Sequence, residues 1–321
     1  MLIYSVSLLK RIRRRRWQYF LEDAYVVLNI AANLRSQIEI FHVLASPAYR
    51  KLAFIEPRFP FRYAISDYLA RGLNAFERAR CLLCHYRHLQ ATLPAGLLIE
   101  AFEHGITIYE EQRGDSLYSI VTSPVPSKEY REGELCLELR SDGVQIYVLQ
   151  FTVVPGPVVG SQARHVILIS RIQGVRGCYP LIQSTTKAFH DVAPPALLVG
   201  ALHGLAQVLG IDEWAGVTSE KQTCFGLDHP DMFNTAYDDF FTRHGGTLSA
   251  ANFFLGHFSE RKPLERVNNG HKARKKKRRA IRLQVASDVA RLIFSRRAEF
   301  SIPPRQSVPN RSVKEAASSA T

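Results

Sequence analysis

The stretch from residue 165 to residue 219 constrains the fold more than any other part of this chain. It begins with a β-prone run, His165–Ser170, which is followed by a basic turn containing glycine, Arg171–Gly177. Two helical segments come next, Leu181–Val192 and Ala196–Leu209, and Ile211–Ser219 has the pattern of a second strand. This order predicts a crossover unit, in which ligands bind beside the carboxyl end of the first strand.

The residues before this unit predict an antiparallel meander. Four runs are enriched in β-branched and aromatic residues and partly alternate between apolar and polar positions: Ile106–Gln112, Leu117–Thr122, Glu134–Arg140 and Val144–Val154. The last two runs are separated by Ser141-Asp-Gly143, and Asp-Gly is typical of a tight hairpin turn. We therefore expect a central, mostly antiparallel sheet.

Helical patterns dominate both ends of the chain. The first hundred residues predict the helices Trp17–Leu34, Tyr63–Leu69, Ala75–Leu93 with Asn74 as its N-cap, and Leu97–Glu103. Residues after the crossover predict a helix Asp228–His244, a strand Thr247–Phe258 and an amphipathic helix Ala280–Phe294. The predicted class is α+β, with a helical N-terminal region (1–104), an α/β core (105–260), a basic segment with the C-terminal helix (261–300) and a disordered tail (301–321).

The net charge of +13 is concentrated at the two ends of the chain. Residues 261–297 contain 14 Lys or Arg against two acids, and residues 1–16 contain six basic residues and no acid. The densest run consists of Arg274, Lys275, Lys276, Lys277, Arg278 and Arg279. Such a run binds an anionic membrane surface, binds nucleic acid, or forms a solvated linker. No aromatic residues are interleaved for base stacking, which argues against a dedicated nucleic-acid-binding fold.

Hydropathy and cysteine usage bear on the compartment. No run of about 18 apolar residues is present, so the sequence predicts no membrane-spanning helix. The apolar run Leu2–Leu9 precedes the first basic residues, which is the reverse of a secretory signal. Five cysteines, an odd number in a long chain, favour reduced thiols over a disulfide framework. We predict a cytoplasmic protein whose basic ends bring it to the periphery of the inner membrane.

The motif Cys81-Leu-Leu-Cys84-His85 has the spacing of c-type haem attachment. Haem attachment needs an exported chain, and the motif lies in the middle of a predicted helix among core-like residues. We therefore interpret both cysteines as small core residues. No second pair of Cys or His has the spacing of metal ligands, so we predict neither haem nor a metal.

The turn after the first crossover strand is the candidate binding site. Gly174 and Gly177 would let the backbone approach a pyrophosphate, and Arg171 and Arg176 would add positive charge. The alternative is a tight turn with solvated arginines. No Gly-x-Ser-x-Gly, P-loop or His-Glu-x-x-His motif occurs, so hydrolase and nucleotidase functions have no support from motifs.

Several segments together resemble the bacterial VirK/YbjX family, whose function is unknown. They are Arg80–Leu89, Val144–Phe151, Ile172–Gly177, Pro195–Leu209 and Tyr237–Phe241, the last leading to Gly245-Gly246. The resemblance covers most of the chain and implies an association with virulence, envelope integrity and resistance to host antimicrobial peptides. It implies no reaction and therefore no catalytic residue.

A looser resemblance is to N-acyltransferases of the GNAT type, which use acyl-CoA. Arg171-Ile-Gln-Gly174 fits the first half of their pyrophosphate motif, although Gly177 comes one residue late. Residues 234–246 follow the outline of their late helix, but Phe241 stands where the general-acid tyrosine belongs, which leaves Tyr237 as the candidate acid. The resemblance implies a GNAT-like crossover and an acyltransferase acting on an envelope component. The alternative function is a non-catalytic protein that binds a membrane surface and assists an envelope partner.

Overall fold

The computed structural model describes residues 17–55, 58–66, 68–125, 132–223, 237–259 and 269–301. Within these ranges the chain forms one eight-stranded sheet. Helices precede the first strand, connect some of the later strands and follow the last strand, which confirms the predicted α+β class. The basic N-terminus, residues 260–268 and the tail after residue 301 lie outside the described residues, as does the start of the helix predicted from Asp228.

The N-terminal helices are more numerous than the sequence predicted. They are α1 (Trp17–Ala32), α2 (Leu34–Leu44), α3 (Pro47–Ile55), a 3₁₀ helix (Phe59–Ala64), α4 (Ala75–Thr92) and α5 (Ala95–Glu103). The predicted N-cap of α4 is confirmed, because the Asn74 side chain accepts from the Glu77 amide and the Glu77 carboxylate accepts from the Asn74 amide. The predicted helix Tyr63–Leu69 is wrong, because the backbone is extended at Ile65 and left-handed at Leu69.

The sheet has the order β1-β2-β3-β4-β5-β6-β8-β7. Its strands are β1 (Ile106–Arg113), β2 (Ser116–Pro124), β3 (Leu135–Ser141), β4 (Val144–Pro155), β5 (His165–Gly174), β6 (Glu213–Val217), β7 (Thr247–Leu248) and β8 (Phe253–His257). The predicted hairpin joins β3 to β4, with Asp142 and Gly143 both at positive φ, as a type I′ turn requires. The predicted meander is therefore present.

The predicted crossover joins β5 to β6. These two strands pair in parallel, with Ile167–Ile169 opposite residues 214–216. The other neighbouring strands of the sheet pair antiparallel. Its two helices are α6 (Tyr179–Ala188) and α7 (Pro194–Leu209). The turn is shorter than predicted, because β5 continues to Gly174, which pairs with Tyr147 of β4.

The last part of the chain returns to the sheet edge and then ends in a long helix. A 3₁₀ turn (Ser219–Lys221), α8 (Asp239–Arg243) and α9 (Asn269–Ser301) are the helical elements here. The single strand predicted over residues 247–258 is two strands, because a turn between Ser249 and Asn252 separates β7 from β8. The basic run at 274–279 is helical rather than a segment preceding the helix.

The helix α9 is anchored by close packing against α7. Val285, Ala286, Val289, Ala290 and Ile293 of α9 are buried. Gly200 and Gly204, one turn apart on α7, face the backbone of α9. A Cβ atom at Gly200 would lie 3.0 Å from the Arg282 carbonyl oxygen, and one at Gly204 would lie 2.4 Å from that of Ala286. The two glycines thus allow the helix backbones to approach closely.

One cluster of buried apolar side chains runs from Ile40 in α2 through the sheet to Ile293 in α9. The N-terminal helices, the sheet and the last helix therefore share a core. None of the helices in the described ranges has the length and hydropathy that a membrane span needs.

Candidate functional site

The mouth of the parallel pair is the site that the sequence predicted. β6 stays beside β5 over only three residues and then turns away into the 3₁₀ turn at Ser219–Lys221. β5 runs on with β4 to Gly174. The edge of β5 from Ser170 to Gly174 therefore extends past the end of β6, at the carboxyl end of the crossover strand where ligands bind in such sheets.

Two side chains cover the start of this edge. Gln222 Nε2 donates to the Ser170 carbonyl oxygen at 2.9 Å and to the Tyr237 hydroxyl at 2.7 Å. Tyr237 is 4% exposed, and burial raises the pKa of its hydroxyl well above the usual range. The fold thus brings the predicted acid beside β5, but it holds Tyr237 protonated in a polar contact inside the protein.

Arg171 is engaged by a buried carboxylate. Its Nε lies 3.6 Å from Glu132 Oε2, with the two side chains 12% and 5% exposed, and its Nη2 donates to Gln173 at 2.9 Å. The hydroxyl of Thr223 donates to the other Glu132 oxygen at 2.8 Å. The charge that we expected to meet a pyrophosphate is compensated within the protein.

The rest of the predicted turn divides into a packed part and an exposed part. A Cβ atom at Gly174 would lie 3.0 Å from Ile182 Cδ1 and 3.2 Å from the Tyr147 ring, so this glycine makes room for neighbouring side chains. Gly177 has a φ of 84° with no neighbouring atom within 4 Å of its Cβ position, and Arg176 is exposed. Arg176 and Gly177 are thus the predicted site residues that remain at the surface.

The basic run forms two faces of α9. Lys272, Lys275, Lys276 and Arg279 follow the i, i+3, i+4, i+7 spacing of one face, and the first three of them are exposed. Arg274, Lys277 and Arg278 lie on the other face, toward the end of α6. Asp191, which follows α6, pairs with Arg274 Nη2 at 2.9 Å and with Arg278 Nη2 at 3.3 Å.

A cavity of about 450 Å³ opens between the end of α6 and the start of α9. Its lining consists of Lys187, His190, Asp191, Ala273, Arg274 and Lys277. The predicted basic run therefore contributes to a concave site as well as to an exposed helix face.

Comparison with protein families decides where this chain belongs. A family model described as a protein of unknown function (DUF535) matches residues 11–291. The chain belongs to the DUF535 family. This is the VirK/YbjX family, as the sequence predicted. Comparison with curated proteins and with solved structures gave no match, so no named relative supports the GNAT resemblance or the association with virulence and the envelope.

The Cys-x-x-Cys-His motif of this DUF535 protein lies inside α4. Cys81 and His85 are fully buried, and His85 Nδ1 accepts from the Val153 amide at 3.0 Å. Burial lowers the pKa of His85 to about 3 and raises the pKa of the Cys84 thiol to about 11. A neutral imidazole and protonated thiols indicate that these residues are packed core side chains. Within the described ranges, no group of three or more His, Cys, Asp or Glu side chains could hold a metal ion.

A second buried polar cluster in this DUF535 chain was not predicted from its sequence. Glu134, immediately before β3, is inaccessible to solvent, and its Oε2 lies 3.4 Å from Arg62 Nη1. Both Tyr68 and Tyr86 donate hydroxyl hydrogen bonds to its carboxylate. Arg62, Tyr68, Tyr86 and Glu134 come from separate segments of the sequence, and none of them lies in a recognisable motif. No local pattern could therefore reveal the cluster. The cluster ties the N-terminal helices to the sheet.

Proposed function

We propose that this protein binds anionic membrane surfaces through the exposed basic face of α9, at the periphery of the cytoplasmic leaflet. One observation carries the proposal. Lys272, Lys275, Lys276 and Arg279 project from one face at the start of a helix whose later turns are packed in the core. The positive charges are therefore displayed on a rigid support.

The expected strength follows from the number of charges on this face. A Lys or Arg near an anionic leaflet contributes roughly 1 kcal/mol, so four give about 4 kcal/mol. That free energy corresponds to a dissociation constant of about 1 mM, which describes reversible, salt-sensitive binding. Since the residues are already helical, little backbone entropy is lost on contact.

The test is sedimentation with vesicles of phosphatidylcholine, with and without phosphatidylglycerol. We expect binding only to the anionic vesicles at low salt, with loss at about 1 M salt, where the Debye length is about 3 Å. Replacing Lys275 and Lys276 by Gln should weaken binding by about 30-fold, since two charges are removed.

A matched control removes two exposed positive charges elsewhere. The double variant Arg35→Gln, Arg50→Gln has the same net charge as the Lys275/Lys276 variant, but α9 is unchanged in it. It should therefore bind vesicles as strongly as the parent protein. If both double variants lose the same affinity, net charge rather than this helix face is responsible, and the proposal fails.

A second candidate function is acyl transfer from acyl-CoA to an envelope component. The observation that favours it is the parallel β5–β6 pair with its two-helix crossover, where Gln222 links Tyr237 to the part of β5 that extends past β6. Arg171 and Gly174 have contacts within the protein, so Arg176 and Gly177 would make most of the contacts to the donor. The virulence and envelope roles implied by the family resemblance suit either candidate.

A further inference from the structure

The cavity between α6 and α9 has features of a built site. The end of α6 is fixed by hydrogen bonds from the His190 amide to the Lys187 carbonyl oxygen at 3.0 Å and from the Asp191 amide to the Thr186 carbonyl oxygen at 2.8 Å. His190 and Asp191 have φ values of 52° and 63°, a left-handed conformation that is uncommon outside glycine. This backbone places the Asp191 carboxylate against α9.

The carboxylate of Asp191 orients the arginines. It holds the guanidinium groups of Arg274 and Arg278, which are one turn apart on α9, at 2.9 and 3.3 Å. A guanidinium has five N–H donors in a planar fork, so one ion pair leaves donors available to a ligand. The side chain of Arg274 remains 62% exposed beside the cavity.

The cavity lining carries an excess of positive charge. Lys187, Arg274 and Lys277 oppose a single carboxylate, that of Asp191. Within the described part of the chain, Lys187 and Lys277 have no ion-pair partner. The charged side chains of the lining therefore sum to a formal +2, from three cations and one carboxylate.

We propose that this cavity binds a phosphomonoester group. A phosphomonoester carries a charge of about −1.5 to −2 and three acceptor oxygens, which matches two uncompensated ammonium groups and a guanidinium fork. A phosphodiester has one charge and fewer free oxygens, so it matches less well. The group could belong to a lipid headgroup or to a soluble metabolite. This inference goes beyond the membrane binding proposed above and does not require it.

The first arm of the test uses a soluble probe. Isothermal titration of the full chain with glycerol 3-phosphate should show binding, and the double variant Lys187→Gln, Lys277→Gln should weaken it by about 100-fold, since each charge-assisted hydrogen bond contributes roughly tenfold. The double variant Lys275→Gln, Lys276→Gln also removes two positive charges, but outside the cavity, so it should retain affinity.

The second arm distinguishes the source of the phosphate. Vesicles containing phosphatidic acid are compared with phosphatidylglycerol vesicles of matched surface charge. A preference for phosphatidic acid that disappears in the Lys187/Lys277 variant supports a lipid headgroup, and probe binding without this preference supports a soluble ligand. Absence of both effects, or equal losses in the two double variants, overturns the proposal. Salt-dependent vesicle binding through Lys275 and Lys276 would survive that outcome, so the two proposals fail separately.

Discussion

The packing of α9 against α7 makes a sharp prediction about Gly204. A Cβ atom at this position would lie 2.4 Å from the Ala286 carbonyl oxygen and 2.8 Å from Val289 Cβ. Both distances are well below van der Waals contact, and the nearer atom belongs to the backbone. In Gly204→Ala, therefore, one helix must move away from the other.

Two opposing contributions decide whether Gly204→Ala raises or lowers the free energy of unfolding. Alanine in a helix interior is favoured over glycine by about 1 kcal/mol. Overpacking of this kind costs about 1–3 kcal/mol, with more expected when backbone atoms must shift. We expect Gly204→Ala to lower the free energy of unfolding by about 1–2 kcal/mol. In Gly200→Ala the nearest atom is 3.0 Å away, so the two terms should nearly cancel.

Urea unfolding followed by circular dichroism measures both variants. The midpoint for Gly204→Ala should fall at an unchanged m value, while that for Gly200→Ala should stay near the parent value. A Gly204→Ala protein as stable as Gly200→Ala, or more stable than the parent, would show that the two helices are not in close contact. The support for the basic face of α9 would then be lost.

Two further predictions concern the interior and the acyl-CoA hypothesis. The folded protein keeps His85 neutral because its pKa is lowered to about 3, whereas His85 in the unfolded chain takes up a proton below pH ~6.5. As the pH is lowered from ~6.5 toward about 3, the free energy of unfolding should therefore decrease by up to about 1.4 kcal/mol per pH unit. In urea titrations at several pH values, His85→Gln should remove that part of the slope. If the acyl-transfer candidate is correct, an acyl-CoA at about 100 times its dissociation constant should add about 2.7 kcal/mol of stability in a thermal-shift assay, and Arg176→Gln should reduce this gain. The absence of a shift with acetyl-CoA and longer acyl-CoAs would remove the candidate.

Local patterns predicted the sheet well because the relevant signals are local. Asp142 and Gly143 specify a hairpin by their own conformational preferences, and β-branched runs mark strands independently of their partners. The beginning of α9 was missed for a related reason. The predicted helix begins only at Ala280, after the basic run, and like charges one turn apart do disfavour an isolated helix over that run. In the fold, Asp191 offsets two of those charges and α7 holds the rest of the helix.

The candidate site was predicted only in part, because its contacts are long-range. The sequence placed Arg171 in the turn after the strand, whereas β5 includes Arg171 and continues to Gly174. It also could not show that Glu132 would lie 3.6 Å away. It likewise could not place Gln222 between Ser170 and Tyr237. The basic run was visible, while its partner Asp191 and the cavity that they border depend on how α6 ends.

In α9 the buried apolar residues and the exposed charged residues occupy different halves of the helix, and this separation affects which substitutions the protein can tolerate during evolution. Residues from Val285 to Ile293 bear on the stability of the fold, whereas Lys272 to Arg279 mainly determine what the surface attracts. Substitutions in the charged half should therefore alter ligand preference at little risk to folding. Selection could adjust the specificity of this surface while the scaffold beneath it stays the same.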